Sequence, residues 1–244
     1  MESLYKEDLA YIHAAAFGGL AQGAAQEIVR LLKSAPLEIR HVVDLGCGAG
    51  PLSASLVEAG FEVTGIDNSA ELLAIARAAV PKAQFANASI YDAEIPACEA
   101  VIALGEPLTY HPDGAKADLL VQNLFWRVSD VLPLGGLFIF DNIELGEPPL
   151  TGRSWSSGED WAVLVDTQED QHSRTLVRKI ETFRRVNQCY RRGREVHRVR
   201  LFDTAVLCHQ LVACGFATDT AQAYGTQRLA PRRRAFFCTR IERS

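Results

Sequence analysis

A glycine-rich turn between a short apolar strand and a helix is the feature that most constrains the fold of this chain. The segment HVVDLGCGAG, residues 41–50, begins with a short β-branched run and continues with glycine at positions 46, 48 and 50. These glycines let the backbone turn tightly and approach a ligand closely. Pro51 follows and suits a first helical turn, whose N–H groups point at the same place. The segment predicts a strand–loop–helix unit with a ligand site at the loop.

Strands and helices alternate from this loop to about residue 141. Apolar spacing predicts strands at 41–45, 61–67, 83–88, 100–104 and 137–140. Helical spacing covers 7–33, interrupted at Gly18-Gly19, and then 51–59, 69–80 and 118–131. Such alternation indicates right-handed βαβ units and a mostly parallel sheet.

The periodicity changes after Asp141. Antiparallel strands are predicted at 162–166, 175–186 and 194–202, followed by a helix over 203–213 and strands at 216–224 and 235–241. The predicted fold is α/β and Rossmann-like: a doubly wound, mostly parallel seven-stranded sheet with an antiparallel strand insertion covering the active site. We expect one domain over 1–244, made of N-terminal helices or lid (1–40), cofactor-binding core (41–145), cover insertion (151–202) and the end of the core sheet (203–244).

The loop does not match the common nucleotide-binding motifs. A G-x-G-x-x-G dinucleotide motif would need glycine at position 51, which is proline, and no G-K-[ST] phosphate loop is present. An acidic residue, Asp67, closes the second strand 21 positions after Gly46. A carboxylate there can accept hydrogen bonds from both ribose hydroxyls.

Three segments together resemble class I S-adenosylmethionine-dependent methyltransferases: VVDLGCGAG at 42–50, VTGIDNS at 63–69 and VLPLGGLFIFDN at 131–142. The resemblance implies S-adenosyl-L-methionine as cofactor and S-adenosyl-L-homocysteine as product. It places Gly46, Gly48 and Gly50 around the methionine moiety, Asp44 at the base of the loop and Asp67 at the ribose. The remaining core residues that it implies for the cofactor are Cys47, Asn68, Ser89, Ile90, Leu104 and Gly105.

The adenine contact is the weakest part of the resemblance. Ser89 and Ile90 follow the third strand where the family commonly contacts adenine, but many members have an acidic residue in place of Ser89. Asp92 could take that role or could face water, and both interpretations stay open.

Candidates for acceptor binding or proton removal follow the fourth strand. They are Glu106, Tyr110 and His111, which could equally be loop groups that satisfy the backbone before Pro112. In 194–202, Glu195 and His197 share one strand face with Val199 and Leu201. His197 could therefore act at the site, or the pair could belong to a salt-bridged strand face. The insertion resembles the cover strands of small-molecule methyltransferases, among them sugar N,N-dimethyltransferases.

The N-terminal helix carries Tyr11 and His13. Methyltransferases of the resembled type often fold such a segment over the cofactor, so Tyr11 and His13 are candidate cofactor contacts. A helix merely packed on the sheet edge is the alternative.

Charge is divided unevenly along the chain. Residues 1–173 carry 9 basic and 25 acidic residues, whereas 174–244 carry 16 and 5. The basic end would suit nucleic acid, but the net charge is −5, no N-P-P-[YF] motif follows the fourth strand, and an ion-paired face is the simpler interpretation.

Several classes are not expected from the composition. There is no apolar run of membrane-spanning length, no signal-peptide pattern and no metal-ligand cysteine spacing among the six cysteines. We expect a cytoplasmic protein with free thiols, no metal and no membrane contact, which could form a homodimer.

The sequence thus predicts an enzyme that transfers a methyl group from S-adenosylmethionine to N or O of a small metabolite. Two alternatives stay open: a nucleic-acid or protein methyltransferase that docks through the basic end, and a non-catalytic S-adenosylmethionine-binding module.

Overall fold

A computed structural model describes residues 4–110 and 116–243. Two N-terminal helices, α1 (Glu7–Ala16) and α2 (Gly19–Ser34), are separated at Phe17-Gly18, one residue before the predicted Gly18-Gly19 break. The core then alternates as β1 (His41–Leu45), α3 (Pro51–Glu58), β2 (Glu62–Asp67), α4 (Ala70–Ala79), β3 (Gln84–Asn87), β4 (Ala100–Ala103), a short 3-10 helix (Pro107–Thr109), α5 (Ala117–Val131) and β5 (Leu137–Ile143).

The second half begins with a long antiparallel meander. Its strands are β6 (Gly152–Ser157), β7 (Trp161–Asp170), β8 (Thr175–Val186) and β9 (Cys189–Arg200). The chain continues through α6 (Thr204–Ala213), β10 (Phe216–Ala221), β11 (Ala223–Tyr224), β12 (Gln227–Arg228) and β13 (Arg233–Arg240).

The main sheet has seven strands in the order β10-β13-β5-β4-β1-β2-β3. Strands β1 to β5 run parallel to one another, and β13 is antiparallel to both β5 and β10. Strand order reverses between β1 and β4, so the crevice at the carboxyl ends of these strands is the place where such sheets bind ligands. This confirms the predicted Rossmann-like, doubly wound α/β fold.

Helices cover both faces of the main sheet. One apolar cluster packs α5 and α6 against one face, with Phe125 and Phe140 fully buried. The other packs α2 and α3 against the opposite face, with Ile28 and Leu56 at its centre. The central strands β1, β4 and β5 are therefore buried on both sides, which explains their near-continuous apolar sequence.

Strands β6 to β9 form a separate four-stranded sheet, which we call the cover sheet. Its inner face packs on α1, where Trp161, Val163 and Ile180 contact Leu9 and Ile12. Three of these strands are predicted from the sequence; β6 is not, because its residues are mostly exposed and polar and lack apolar alternation. The predicted strand over 216–224 is divided at residue 222 into β10 and β11, and β11 turns back to pair with β12.

Candidate active site

The glycine loop after β1 adopts the backbone conformation that only glycine tolerates well. Gly46, Gly48 and Gly50 have φ of +71°, +55° and +80°. A Cβ on Gly46 would lie 2.5 Å from Cβ of Pro107, so a side chain at this position would collide with the segment after β4. Gly50 precedes α3, whose first residue is Pro51 as predicted. The loop is therefore a cradle that side chains would fill.

Asp67 ties this loop to the start of α4. Its Oδ2 accepts the N–H of Gly48 at 2.9 Å, and its Oδ1 accepts the N–H of Ser69 at 2.8 Å. Burial raises the pKa of this carboxyl group, and the backbone hydrogen bonds oppose the shift. Ser69 in turn caps α4 by accepting the N–H of Leu72, so Asp67 is held on two sides at the end of β2.

Asp44 lies deeper below the loop. The hydroxyl of Ser53, on α3, donates to its Oδ2 at 2.7 Å. Burial raises the pKa of Asp44 to about 7, with a smaller contribution from the nearby charge of Asp67. Asp44 therefore links the first turn of α3 to β1, and its carboxyl group titrates near neutral pH.

One cavity of about 820 Å³ runs from the glycine loop to the cover sheet. Its volume falls in the range of small-molecule sites. Of the predicted site residues that the structure describes, all but two line it: His13, Asp44, Gly46, Cys47, Gly48, Gly50, Asp67, Asn68, Ile90, Leu104, Gly105, Glu106, Tyr110 and His197. The cover sheet contributes alternate residues, among them Thr167 and Arg178, and the N-terminus contributes Leu4 and Tyr5.

The far side of the cavity, which we call the acceptor end, is built around Glu106. Its side chain is buried between the guanidinium groups of Arg178 and Arg233, and the Arg233 contact is 2.9 Å. Glu106 itself has φ of +64°. Its N–H and that of Gly105 donate to the carboxylate of Asp141 at 2.9 and 2.8 Å, which holds this strained turn. Burial raises the pKa of Asp141 to about 6.

Two tyrosines and a histidine complete the acceptor end. The hydroxyls of Tyr5 and Tyr110 lie 2.9 Å apart, and Arg178 donates to the Tyr110 hydroxyl at 3.2 Å. Burial raises the pKa of both phenols, so neither is a base near neutral pH. The ring of His197 packs edge-on against the rings of Tyr5 and Tyr110.

His197 is the buried histidine of the cover sheet. Its Nε2 lies 2.9 Å from Oε2 of Glu195, and its buried Nδ1 has no hydrogen-bond partner among residues 4–110 and 116–243. As predicted, Glu195 and His197 lie on the inner face of β9 with Val199, and Leu201, just after the strand, is buried too. Across the cavity, burial lowers the pKa of His13 to about 4, with His197 as a second cause, so His13 is neutral near pH 7.

Two predicted site residues, Tyr11 and Ser89, are not brought to the cavity. The Tyr11 hydroxyl donates to Asp160 at 2.9 Å and its ring stacks under Arg184, because this face of α1 packs on the cover sheet. Ser89 accepts the N–H of Tyr91 and so stabilises a local turn. His111 lies outside the described residues.

Sequence analysis did not identify Tyr5, Arg178 or Arg233. Each comes from a segment far along the chain from Glu106, and arginine on a strand gives no local signal of inward orientation. Arg178 stands opposite His197 in the β8–β9 register, so it shares the inner face once the pairing is known.

The basic end of the chain is ion-paired. Arg232 reaches the buried carboxylate of Glu169 at 2.7 Å, and Arg234 reaches Glu144 at 2.6 Å. With Arg233 on Glu106, the three consecutive arginines pair with three different carboxylates. On the outer face of the cover sheet, Arg192 and Arg194 both pair with Glu181.

The described residues contain neither a candidate metal-binding cluster nor a candidate membrane-spanning helix. Within 4–110 and 116–243, there is no group of three or more His, Cys, Asp or Glu side chains that could hold a metal ion. In the same part of the chain, no helix is long and apolar enough to cross a membrane.

Comparison with known proteins gives a consistent result. Residues 42–127 match a family described as a methyltransferase domain. The YqeM protein of Bacillus subtilis (strain 168), named as a candidate methyltransferase, is 27% identical over 210 residues, which is 81% of this chain and 82% of that protein.

Solved structures extend the likeness to almost the whole chain. A S-adenosylmethionine-dependent methyltransferase from Clostridium acetobutylicum ATCC 824 superposes with a TM-score of 0.80 at 19% identity, covering 96% of this chain and 98% of that one. The sugar N-methyltransferase KedS8 from Streptoalloteichus sp. ATCC 53650 gives a TM-score of 0.77 at 21% identity, covering 96% and 92%.

Proposed function

We propose that this chain, which is a class I S-adenosylmethionine-dependent methyltransferase, transfers the methyl group to a nitrogen or oxygen of a small metabolite. One observation supports a small acceptor molecule: a cavity of about 820 Å³ joins the glycine loop to the buried acceptor end beneath the cover sheet. A polymer would need an open groove at the same place. The sugar N-methyltransferase KedS8, which shares the fold, supports an acceptor of this size.

The donor half of the proposed site is the edge at β1 and β2. We assign the ribose to Asp67, whose carboxylate is already oriented by two backbone N–H groups. The backbone of Gly46, Gly48 and Gly50 faces the methionine moiety, and the remaining donor-site lining is His13, Cys47, Asn68, Ile90, Leu104 and Gly105. Bound S-adenosylmethionine supplies an electrophilic methyl group on a sulfonium, so the chain has to align the acceptor and remove its proton.

His197 is the base that we favour among the predicted candidates. Glu106 is held between the guanidinium groups of Arg178 and Arg233, so its carboxylate is already occupied by two ion pairs. Tyr110 is a buried phenol that keeps its proton. His197 lines the same cavity, and its buried Nδ1 finds no hydrogen-bond partner in the described residues. We therefore assign proton removal to His197 and acceptor positioning to Glu106 and Tyr110.

The remaining proposals concern the protein as a whole. We propose a single domain in which the core binds the donor and the cover sheet encloses the acceptor. A cytoplasmic location is consistent with six free cysteines, two of which are not buried. Because arginines of the basic end are paired with carboxylates, we propose that nucleic acid is not a partner. A homodimer is compatible with this architecture.

The test is an untargeted metabolite screen with isotope-labelled S-adenosylmethionine, read out as label in a small molecule. Calorimetry with S-adenosylmethionine, S-adenosylhomocysteine and NAD runs in parallel. We expect binding of the first two ligands, no binding of NAD and at least one labelled metabolite. A protein that binds the donor but labels nothing would be a sensor or scaffold, and a protein that labels RNA or protein instead would contradict the small acceptor.

A further inference from the structure

Glu195 receives hydrogen bonds from two separate parts of the chain. Its Oε2 accepts the N–H of Tyr5 at 2.8 Å and lies 2.9 Å from Nε2 of His197, and its Oε1 accepts the N–H of Lys6 at 2.9 Å. Its side chain is only 8% exposed, although it stands on a strand of the cover sheet. One buried carboxylate thus links the N-terminal segment, residues 4–6, to the proposed base.

These contacts determine the hydrogen on the His197 ring. Both oxygens of Glu195 already accept backbone N–H groups, so the carboxylate acts as an acceptor toward the ring as well. Nε2 then carries a hydrogen, and in the neutral form of the ring the lone pair lies on Nδ1. Nδ1 is the buried ring atom for which the described part of the chain offers no hydrogen-bond partner.

The N-terminal segment also reaches the donor half of the site. The hydroxyl of Ser69, at the start of α4, donates to the carbonyl oxygen of Tyr5 at 3.0 Å. Ser69 is the residue whose N–H holds Asp67. Tyr5 is therefore bonded on one side to the donor half and on the other to Glu195, and its hydroxyl meets Tyr110 at the acceptor end.

We propose that Glu195 is the positioning residue of this enzyme: it sets the tautomer of His197 and joins the ring to the N-terminal segment, so that closure of the segment and orientation of the base are one event. The inference rests on the proposed function for its chemical meaning. As the acceptor lone pair forms its bond to the methyl carbon, the bond from that carbon to sulfur breaks and thioether leaves. The acceptor N–H or O–H proton passes to Nδ1, and Glu195 stabilises the resulting imidazolium.

The test measures the ring and the segment directly, so it needs no acceptor. Protein labelled with ¹⁵N-histidine gives the tautomer of His197 from long-range ¹H–¹⁵N correlation, and His197→Gln assigns its signals. Hydrogen exchange gives the protection of the Tyr5 and Lys6 amides. The variants are Glu195→Ala and Glu195→Gln, with Glu181→Gln as control because Glu181 pairs with arginines on the outer face of the cover sheet.

In the wild type we expect His197 to carry its hydrogen on Nε2 alone. Glu195→Ala should give a mixture of tautomers and speed exchange of both amides by about tenfold or more, since each loses a hydrogen bond to a charged group. Glu195→Gln keeps one oxygen acceptor but replaces the other by an NH₂ group. It should retain the Nε2–H tautomer while exchange at Lys6 accelerates. Glu181→Gln should match the wild type in both measurements.

Other outcomes overturn the proposal. An unchanged tautomer in Glu195→Ala, or unchanged amide exchange, would show that Glu195 does not position the ring or does not hold the segment. If Glu195→Ala fails to fold, Glu195→Gln decides: loss of the Nε2–H tautomer, or unchanged exchange at Lys6, contradicts the proposal. Calorimetry with S-adenosylhomocysteine tests the proposed function separately from the role of Glu195. A wild type that does not bind this ligand contradicts the proposed function. The tautomer and exchange results test the positioning role of Glu195 independently of that outcome.

Discussion

Replacing Gly46 by alanine tests the contact between the glycine loop and the acceptor end. Gly46 has φ of +71°, and a Cβ at this position would lie 2.5 Å from Cβ of Pro107. Pro107 directly follows Glu106, the buried residue between Arg178 and Arg233. The substitution therefore strains the backbone and also pushes two walls of the cavity apart.

The magnitude follows from these two effects. A left-handed conformation costs an ordinary residue roughly 1–2 kcal/mol, and overfilling a packed site adds roughly 1–3 kcal/mol. Gly60 is a matched control, because its φ is +98° and nothing lies within 4 Å of a Cβ built there. We expect the free energy of unfolding to fall by roughly 2–5 kcal/mol in Gly46→Ala and by roughly 1–2 kcal/mol in Gly60→Ala.

Urea unfolding with linear extrapolation measures the difference. Calorimetry with S-adenosylhomocysteine under folding conditions gives the second readout. In Gly46→Ala we expect the affinity to fall at least about tenfold, because moving the glycine loop by about 1 Å misplaces the groups that contact the ligand. In Gly60→Ala we expect the affinity to stay unchanged. Equal loss of stability in the two variants, with equal affinity, would refute the argument that the contact with Pro107 requires glycine.

Further predictions address the ribose contact, the buried ion pair, the pH response and the basic end. Asp67→Ala should abolish S-adenosylhomocysteine binding in calorimetry, whereas Asp130→Ala, which removes an exposed carboxylate, should not; retained binding would contradict the ribose assignment. Arg232→Met should destabilise the fold by about 3–5 kcal/mol because it leaves Glu169 buried without its partner, and adding Glu169→Met should recover most of this loss in urea unfolding. Burial raises the pKa of Asp141 from 3.8 to about 6, so the folded chain keeps a proton that the unfolded chain releases. The stabilisation by protonated Asp141 is therefore full below about pH 4 and is lost as the pH rises to about 6. Asp141→Asn should remove this decline in the free energy of unfolding. A difference in unfolding free energy between variant and wild type that is constant with pH would contradict this prediction. Titration with RNA or DNA at low and moderate salt should show no strong salt-dependent binding.

The donor half of the site could be predicted from the sequence because its signals are local. Glycine at 46, 48 and 50 follows an apolar strand, and Asp67 ends the next one. Carboxyl ends of neighbouring parallel strands meet at one edge of the sheet, so the order of elements alone brings these residues together. Period-2 alternation likewise placed His197 and Glu195 on the inner face of their strand.

The acceptor end was decided by tertiary structure. Glu106 is contacted by Arg178 and Arg233, which lie about 70 and more than 120 positions away in the chain. Tyr110 is contacted by Tyr5, about 100 positions away. The run of arginines at 232–234 appears in sequence as one basic patch, yet each side chain pairs with a different carboxylate. Local spacing determines which face of an element is apolar. The pairing of long charged side chains depends instead on how separate sheets and helices pack. In this chain, these ion pairs form only when the cover sheet and the N-terminus pack over the core.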